Sequence, residues 1–313
     1  MKNVYFDHDG NVDDLVSLLL LLQVPDIRLL GVGVVDADGY QEPAVAASRK
    51  IIDHFNTHHQ DLSVAASDSR PVNQFPKEWR LISYSFNAMP LLNRRATLTT
   101  PLAPVPAHQD MVAKIRQADG PTTVVMTGPL TDLARALTVA PDIAAKIERV
   151  FWMGGTMNNQ GNVNEPGRDG TAEWNAYWDP QAVHTVFHAG VPLQMIGLES
   201  TDELPLTDEL RQHWNQMVGY PAVDLIGQGY ALVLSYEANS TYYLWDVLTA
   251  MASQYPELVT TQAIEGDVLT TGPAAGRTFR QPAGQPLTLV TRADKAAFFA
   301  TVDRLAQSAT YQP

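Results

Sequence analysis

The sequence predicts an α/β fold: a mostly parallel central β-sheet flanked by helices, with helical insertions over the C-terminal ends of the strands. Short β-rich runs alternate with helical patterns along the chain, which is the rhythm of a parallel sheet. The conspicuous polar residues follow those runs: Asp9 after the first, Asp38 after the second, Thr127 after Val124-Val125-Met126, and Gly154 and Gly155 after Val150–Met153. In such sheets ligands gather at the carboxyl ends of the strands. With 313 residues, 45% of them hydrophobic, and no internal repeat or low-complexity linker, the chain can bury a large core. A single domain over residues 1–313 is expected.

Asn3–Phe6 is short, apolar and β-prone, Gly10 and Asn11 are turn residues, and Leu15–Gln23 is an apolar run of helical length. Together they read as strand, tight turn and buried helix. Arg28–Val35, Ser63–Ala66, Thr122–Met126, Val150–Met153 and Leu193–Ile196 supply the further strands. The segment from Pro71 to Pro106 is rich in proline and aromatics, and Ser200–Tyr243 is mostly helical and polar, so both read as insertions beside the sheet.

Asp7, Asp9, Asp13 and Asp14 crowd the first strand–helix junction. Asp13 or Asp14 can cap the helix, where unpaired amides and the macrodipole favour an anion. A cap does not account for Asp9 as well, because like charges within a few ångströms raise each other's pKa unless a cation is present. A metal ion resolves the conflict. The chain has no cysteine and only His8 lies in the cluster, so the donors are oxygens and point to Ca²⁺ or Mg²⁺ rather than zinc or iron.

A formal net charge of −13 argues against nucleic acid or an anionic membrane as partner, since both require a basic footprint. A small-molecule substrate fits better. The start shows no charged and apolar leader pattern and no apolar run reaches bilayer length, so the expected compartment is the cytoplasm.

The string DHDG also resembles the first motif of haloacid-dehalogenase-type phosphatases. That family needs a later paired-acid motif, and the candidate Gly266-Asp267 in EGDVLTTG has no second acid. The chain more fully resembles the inosine–uridine nucleoside hydrolase family, from residue 1 to about Ala252. The blocks DHDGNVDD, VAASDSRP, MTGPLTDLA, WMGGTMNNQGNV with AEWNAYWDP, and WDVLTAMA recur in the family's order. Gly10-Asn11 replaces a Pro-Gly pair, Asp38 stands where an Asn is usual, and Trp245 stands where many members place a His. With Trp79 and Trp174, these departures resemble the purine-specific branch.

The resemblance implies a Ca²⁺-dependent purine nucleoside N-ribohydrolase, acting on a small-molecule purine nucleoside and assembled as a homodimer. It implies that Asp9, Asp14, Asp246 and the Thr127 carbonyl hold Ca²⁺ and that Asp9 is the general base toward a metal-held water. It also implies that Asp13, Asn162, Glu173 and Asn175 bind ribose hydroxyls, Glu173 and Asn175 alternating on one side of an extended segment. Asn11, Asp38, Trp79, Trp174 and Trp245 complete the expected substrate site, Trp79 and Trp245 sandwiching the base. A hydrolase of pyrimidine or other ribosyl substrates, or a non-catalytic nucleoside sensor, is the alternative on the same fold.

Plainer readings stand beside these. Gly161-Asn162 is also an ordinary turn pair, and Asp179 before Pro180 reads as a helix cap. Trp152 and Trp174 read as core or wall. His8 should point to the face of the strand opposite Asp9 and is structural. The other histidines, including His54, His58, His59, His108 and His184, show no partner pattern that assigns a role.

Overall fold

The computed structural model describes residues 1–233 and 241–313. Its strands are β1 (Lys2–His8), β2 (Ile27–Val34), β3 (Val64–Ala66), β4 (Thr122–Met126), β5 (Ile147–Met153), β6 (Leu193–Ile196), β7 (Val259–Val268), β8 (Thr278–Arg280) and β9 (Gln285–Ala293). They form one sheet in the order β3-β2-β1-β4-β5-β6-β9-β7-β8. All pairings from β3 across to β9 are parallel, whereas β7 runs antiparallel to both β9 and β8. The expected mostly parallel sheet is present, with an antiparallel margin that the sequence reading did not anticipate.

Both faces of the sheet are covered, and strand alternation sorts the residues between them. Val4, Phe6, Val125 and Phe151 join a core beneath helices Val12–Leu21, Gln41–Phe55, Trp245–Gln254 and Lys295–Ser308. Tyr5, Val124, Met126, Val150 and Trp152 join the opposite core, beneath Ala107–Gln117, Thr131–Val139 and Pro180–Phe187. Every residue of helix Val12–Leu21 is buried, which explains an apolar run with charge only in its first turn.

The chain leaves β1 toward β2 on one side and returns to β4 on the other. The loops after β1 and β4 therefore splay apart at a topological switch point, where a crevice forms. The proline-rich insertion holds the short helices Lys77–Arg80 and Ile82–Asn87. Within the second insertion lie Asp208–Asn215 and Pro221–Ala231, while the part spanning 234–240 lies outside the described residues. Among the described residues, no helix is long and apolar enough to cross a membrane.

Candidate active site

The turn after β1 is built around Gly10, at φ +85°, where a Cβ would sit 2.3 Å from the Ala44 Cβ. Only glycine meets both demands. Gly39 N donates to Asp9 O at 2.7 Å and Asp38 N donates to Asp9 Oδ2 at 3.1 Å, so the loop after β2 is clipped to the loop after β1. The helix cap is Asn11 rather than Asp13 or Asp14. Its Oδ1 accepts from Val12 N at 2.8 Å, and its backbone N–H donates to Asp14 Oδ2 at 2.9 Å, closing a capping box. Asn11 Nδ2 donates to Asp38 Oδ2 at 2.8 Å.

Asp14 thus has a capping share, and its other oxygen accepts from Thr127 Oγ1 at 2.6 Å. Asp13 accepts from Tyr242 OH at 2.6 Å and from Asp246 N at 3.4 Å. Asp13, Asp14 and Asp246 each bring an oxygen within 4.8 Å of the other two, and the charge of Asp14 also bears on Asp9. Asp9, Asp13, Asp14 and Asp246 are buried, and Asp38 is partly so.

Burial pushes all five carboxyls above the usual range. It carries Asp14 to about 7 with the charge of Asp13 adding, and Asp38 to about 8 with Asp13 again adding. Among the described residues no salt bridge reaches any of them. Arg80, whose charge opposes the rise at Asp38, is itself engaged by Asp36 at 2.6 Å and by Ala37 O at 2.8 Å. A buried group of carboxylates without a cation is costly, and an all-oxygen donor set suits a hard divalent ion.

These residues floor a cavity of about 810 Å³, within the usual range for small-molecule sites. Asp9, Asn11, Asp13, Asp38, Thr127 and Asp246 line it from below, with Asp14 just behind them. Asn162, Glu173, Trp174, Asn175, Trp79 and Trp245 line it as well. Every residue expected in the site except Asp14 therefore faces one space.

The segment AEWN differs from the extended form expected of it. Glu173 is the N-cap of a short helix, Trp174–Trp178. Its carboxylate accepts from Gly155 N at 2.8 Å, Asn175 N at 2.9 Å and Ala176 N at 3.1 Å. A carboxylate placed before orphan helix amides finds three donors locally, and this outweighs any preference for extension. Asn162 lies in a bend, lines the cavity and anchors the short helix: its Oδ1 accepts from Trp174 N at 3.2 Å.

The aromatics are arranged in two groups. Trp174 stacks on Phe75 at 5.0 Å and meets Trp79 edge-on at 5.3 Å, while Trp245 meets Tyr242 edge-on at 4.6 Å. Among the described residues the indole N–H of Trp174 is buried without a partner. Trp152 is a core residue whose Nε1 donates to Gly128 O at 3.2 Å. Asp179 caps helix Pro180–Phe187 as expected. His8 is buried on the far side, its Nε2 3.0 Å from Ser48 Oγ, as the alternation of β1 requires.

Sequence reading missed Tyr242, Phe75 and Met153. Met153 lines the cavity and its carbonyl accepts from Asn175 Nδ2 at 3.1 Å. The only signal for Tyr242 is its place in Tyr242-Tyr243-Leu244-Trp245-Asp246, beside an expected ligand.

The family model described as inosine-uridine preferring nucleoside hydrolase matches residues 4–300, so the resemblance extends beyond Ala252 through the antiparallel margin. A pyrimidine-specific ribonucleoside hydrolase RihA of Shewanella sp. (strain MR-7) is 30% identical over 66% of this chain, which spans 62% of that relative's length. The RihA of Escherichia coli O127:H6 is 26% identical over 82% of this chain and 81% of its own. Among solved structures, an inosine-uridine preferring nucleoside hydrolase from Bacillus anthracis is similar with TM-score 0.94 and 47% identity, covering 98% of this chain and 99% of that one. A purine-preferring ribonucleoside hydrolase from Gardnerella vaginalis, at 24% identity and TM-score 0.80 over 98% and 99% of the two chains, shares the fold.

Proposed function

The chain belongs to the inosine–uridine preferring nucleoside hydrolase family, and from that premise we propose that it is a Ca²⁺-dependent purine nucleoside N-ribohydrolase. The observation that carries the reading is the shared cavity, which buried carboxylates, amide and carbonyl groups and three tryptophans line together.

Asp9, Asp14, Asp246 and the Thr127 carbonyl are assigned to hold Ca²⁺. Asp13, which lies among these carboxylates with Oδ1 accepting from Tyr242 OH and Oδ2 from Asp246 N, is assigned to the ribose instead. When bound, Ca²⁺ supplies Lewis-acid polarisation of water and orients the ribose diol.

Asp9 then receives the proton that water loses as its oxygen bonds to C1′. The N-glycosidic bond breaks with its electron pair passing to the base, which gains a proton from solvent. The hydrogen bond from Asp38 N to Asp9 Oδ2 helps hold that carboxylate in place. Asp13, Asn162, Glu173 and Asn175 are assigned to the ribose, with Asn11 setting Asp38. Asn175 suits the task because its amide N is spent on Thr127 O and Met153 O while its Oδ1 has no partner among the described residues.

Trp79, Trp174 and Trp245 favour a large, flat, electron-poor base, since indole faces carry negative potential and stacking strength grows with overlap. A pyrimidine substrate is the second reading, favoured by the pyrimidine-specific name of the 30% identical relative. Ribose release from inosine, adenosine, guanosine, uridine and cytidine under matched conditions decides between them. The proposal expects the purines to lead; comparable uridine turnover would favour the second reading.

A further inference from the structure

We propose that His184, His188 and Asp267 form a second metal site, for a Zn²⁺-class divalent cation, outside the nucleoside cavity. None of the three lines that cavity. His184 lies on helix Pro180–Phe187, His188 is that helix's C-cap, and Asp267 lies on β7. The segment His184-Thr-Val-Phe-His188 spaces its imidazoles one helical turn apart, and residues four apart share a face. The rings lie side by side, with centroids 4.0 Å apart and planes 21° from parallel. A ring nitrogen from each and a carboxylate oxygen of Asp267 lie mutually within 4.8 Å.

Two of the three side chains have their other polar atom anchored by backbone. His188 Nδ1 is 2.8 Å from His184 O; a carbonyl only accepts, so Nδ1 carries the proton and the neutral ring keeps its lone pair on Nε2. That nitrogen is 3.8 Å from Asp267 Oδ2, too far for a hydrogen bond and wide enough for a shared ion after a small closure. Asp267 Oδ1 accepts from Val268 N at 2.8 Å, leaving Oδ2 for the ion. Such outer hydrogen bonds fix tautomer and orientation at metal-binding histidines.

The donor chemistry separates this site from the cavity floor. Two imidazoles and one carboxylate suit zinc, nickel or copper, whereas the all-oxygen floor suits calcium. A helix C-terminus also favours a cation. The ion would clip the helix to β7, and that helix follows directly on Trp174–Trp178.

The test is calorimetric titration of ZnCl₂ into the full chain in excess Ca²⁺, with melting temperatures recorded with and without Zn²⁺. The proposal expects one tight Zn²⁺ per chain, in the micromolar range or better, and a raised melting temperature. His184→Gln and His188→Gln should each weaken binding by more than the roughly 10–100-fold that loss of an outer hydrogen bond costs, Asp267→Asn should weaken it as well, and His58→Gln should leave it unchanged. All three site side chains are partly exposed, so the variants' Zn²⁺-free melting temperatures should match wild type. Millimolar or absent binding by wild type, or Zn²⁺ affinity unchanged in the histidine variants, would overturn the site.

Discussion

Asn175 Nδ2 donates to the Thr127 carbonyl at 3.1 Å while its own Oδ1 is buried with no partner among the described residues. One amide thus ties the cavity wall to the loop after β4 and presents an acceptor whose desolvation is offset only when a donor arrives. Thr127 O has a second lone pair left for a cation. Asn175→Ala is expected to lower kcat/KM for inosine by roughly tenfold or more, as for loss of a buried hydrogen bond. Steady-state kinetics beside a melting curve check it; unchanged kinetics would remove Asn175 from the ribose site.

Gly10→Ala confronts both the positive φ and the Ala44 Cβ at 2.3 Å. Backbone strain and overpacking each cost about 1–3 kcal/mol, so a clear fall in melting temperature is expected, together with a loss of activity because Asp9 is the adjacent residue. An unaltered melting temperature would contradict this account of the turn.

Asp53 illustrates a pH-dependent contribution remote from the cavity. Burial pushes its carboxyl up, but four hydrogen bonds from Thr99 and Thr100 outweigh this and leave it below the ordinary range. A depressed carboxyl contributes stability that is present above the unfolded-state pKa of about 3.9 and is lost as pH falls through the folded value. Asp53→Asn should therefore lower the melting temperature near pH 7 and flatten its decline in acid. A variant that declines in acid as steeply as wild type would contradict the linkage.

Trp79→Ala and Trp245→Ala are expected to narrow the ratio of inosine to uridine turnover, since stacking on an aromatic side chain is worth roughly 1–3 kcal/mol per base in nucleic-acid systems. Turnover should suffer more than binding in Trp245→Ala. Asp38→Asn tests whether the Asp38 carboxyl, pushed up to about 8 by burial, protonates the leaving base in place of solvent: a dead Asp38 variant with unimpaired tryptophan variants would assign base activation to that carboxyl.

What was legible in the sequence follows the strength of each local signal. The six strands from β1 to β6 are mostly apolar and buried, and the sequence marks their runs to within a few residues at the ends. β7 was not, because four consecutive residues, Thr260 to Ala263, are exposed and the strand carries Glu265, Gly266 and Asp267; nothing in such a margin resembles a buried parallel strand. AEWN alternates polar and apolar residues, but the three amides gathered by Glu173 make it a helix start. Asp13 and Asp14 were rightly placed in the first turn, whereas the capping role went to Asn11 because its amide serves the helix and Asp38 together. His184 showed no partner in one dimension; Asp267 reaches it only through the packing of its helix on β7.

The most direct test of the central claim is ribose release from inosine by protein stripped of metal through prolonged chelation, then titrated with Ca²⁺, in wild type and in Asp9→Asn. Wild type should lose turnover on stripping and regain it with Ca²⁺, since the floor carboxylates are left repelling without the ion. Asp9→Asn should stay several powers of ten below wild type at saturating Ca²⁺ while still binding inosine, because a general base acts in the transition state. Full turnover by the stripped protein, or by Asp9→Asn, would contradict the account.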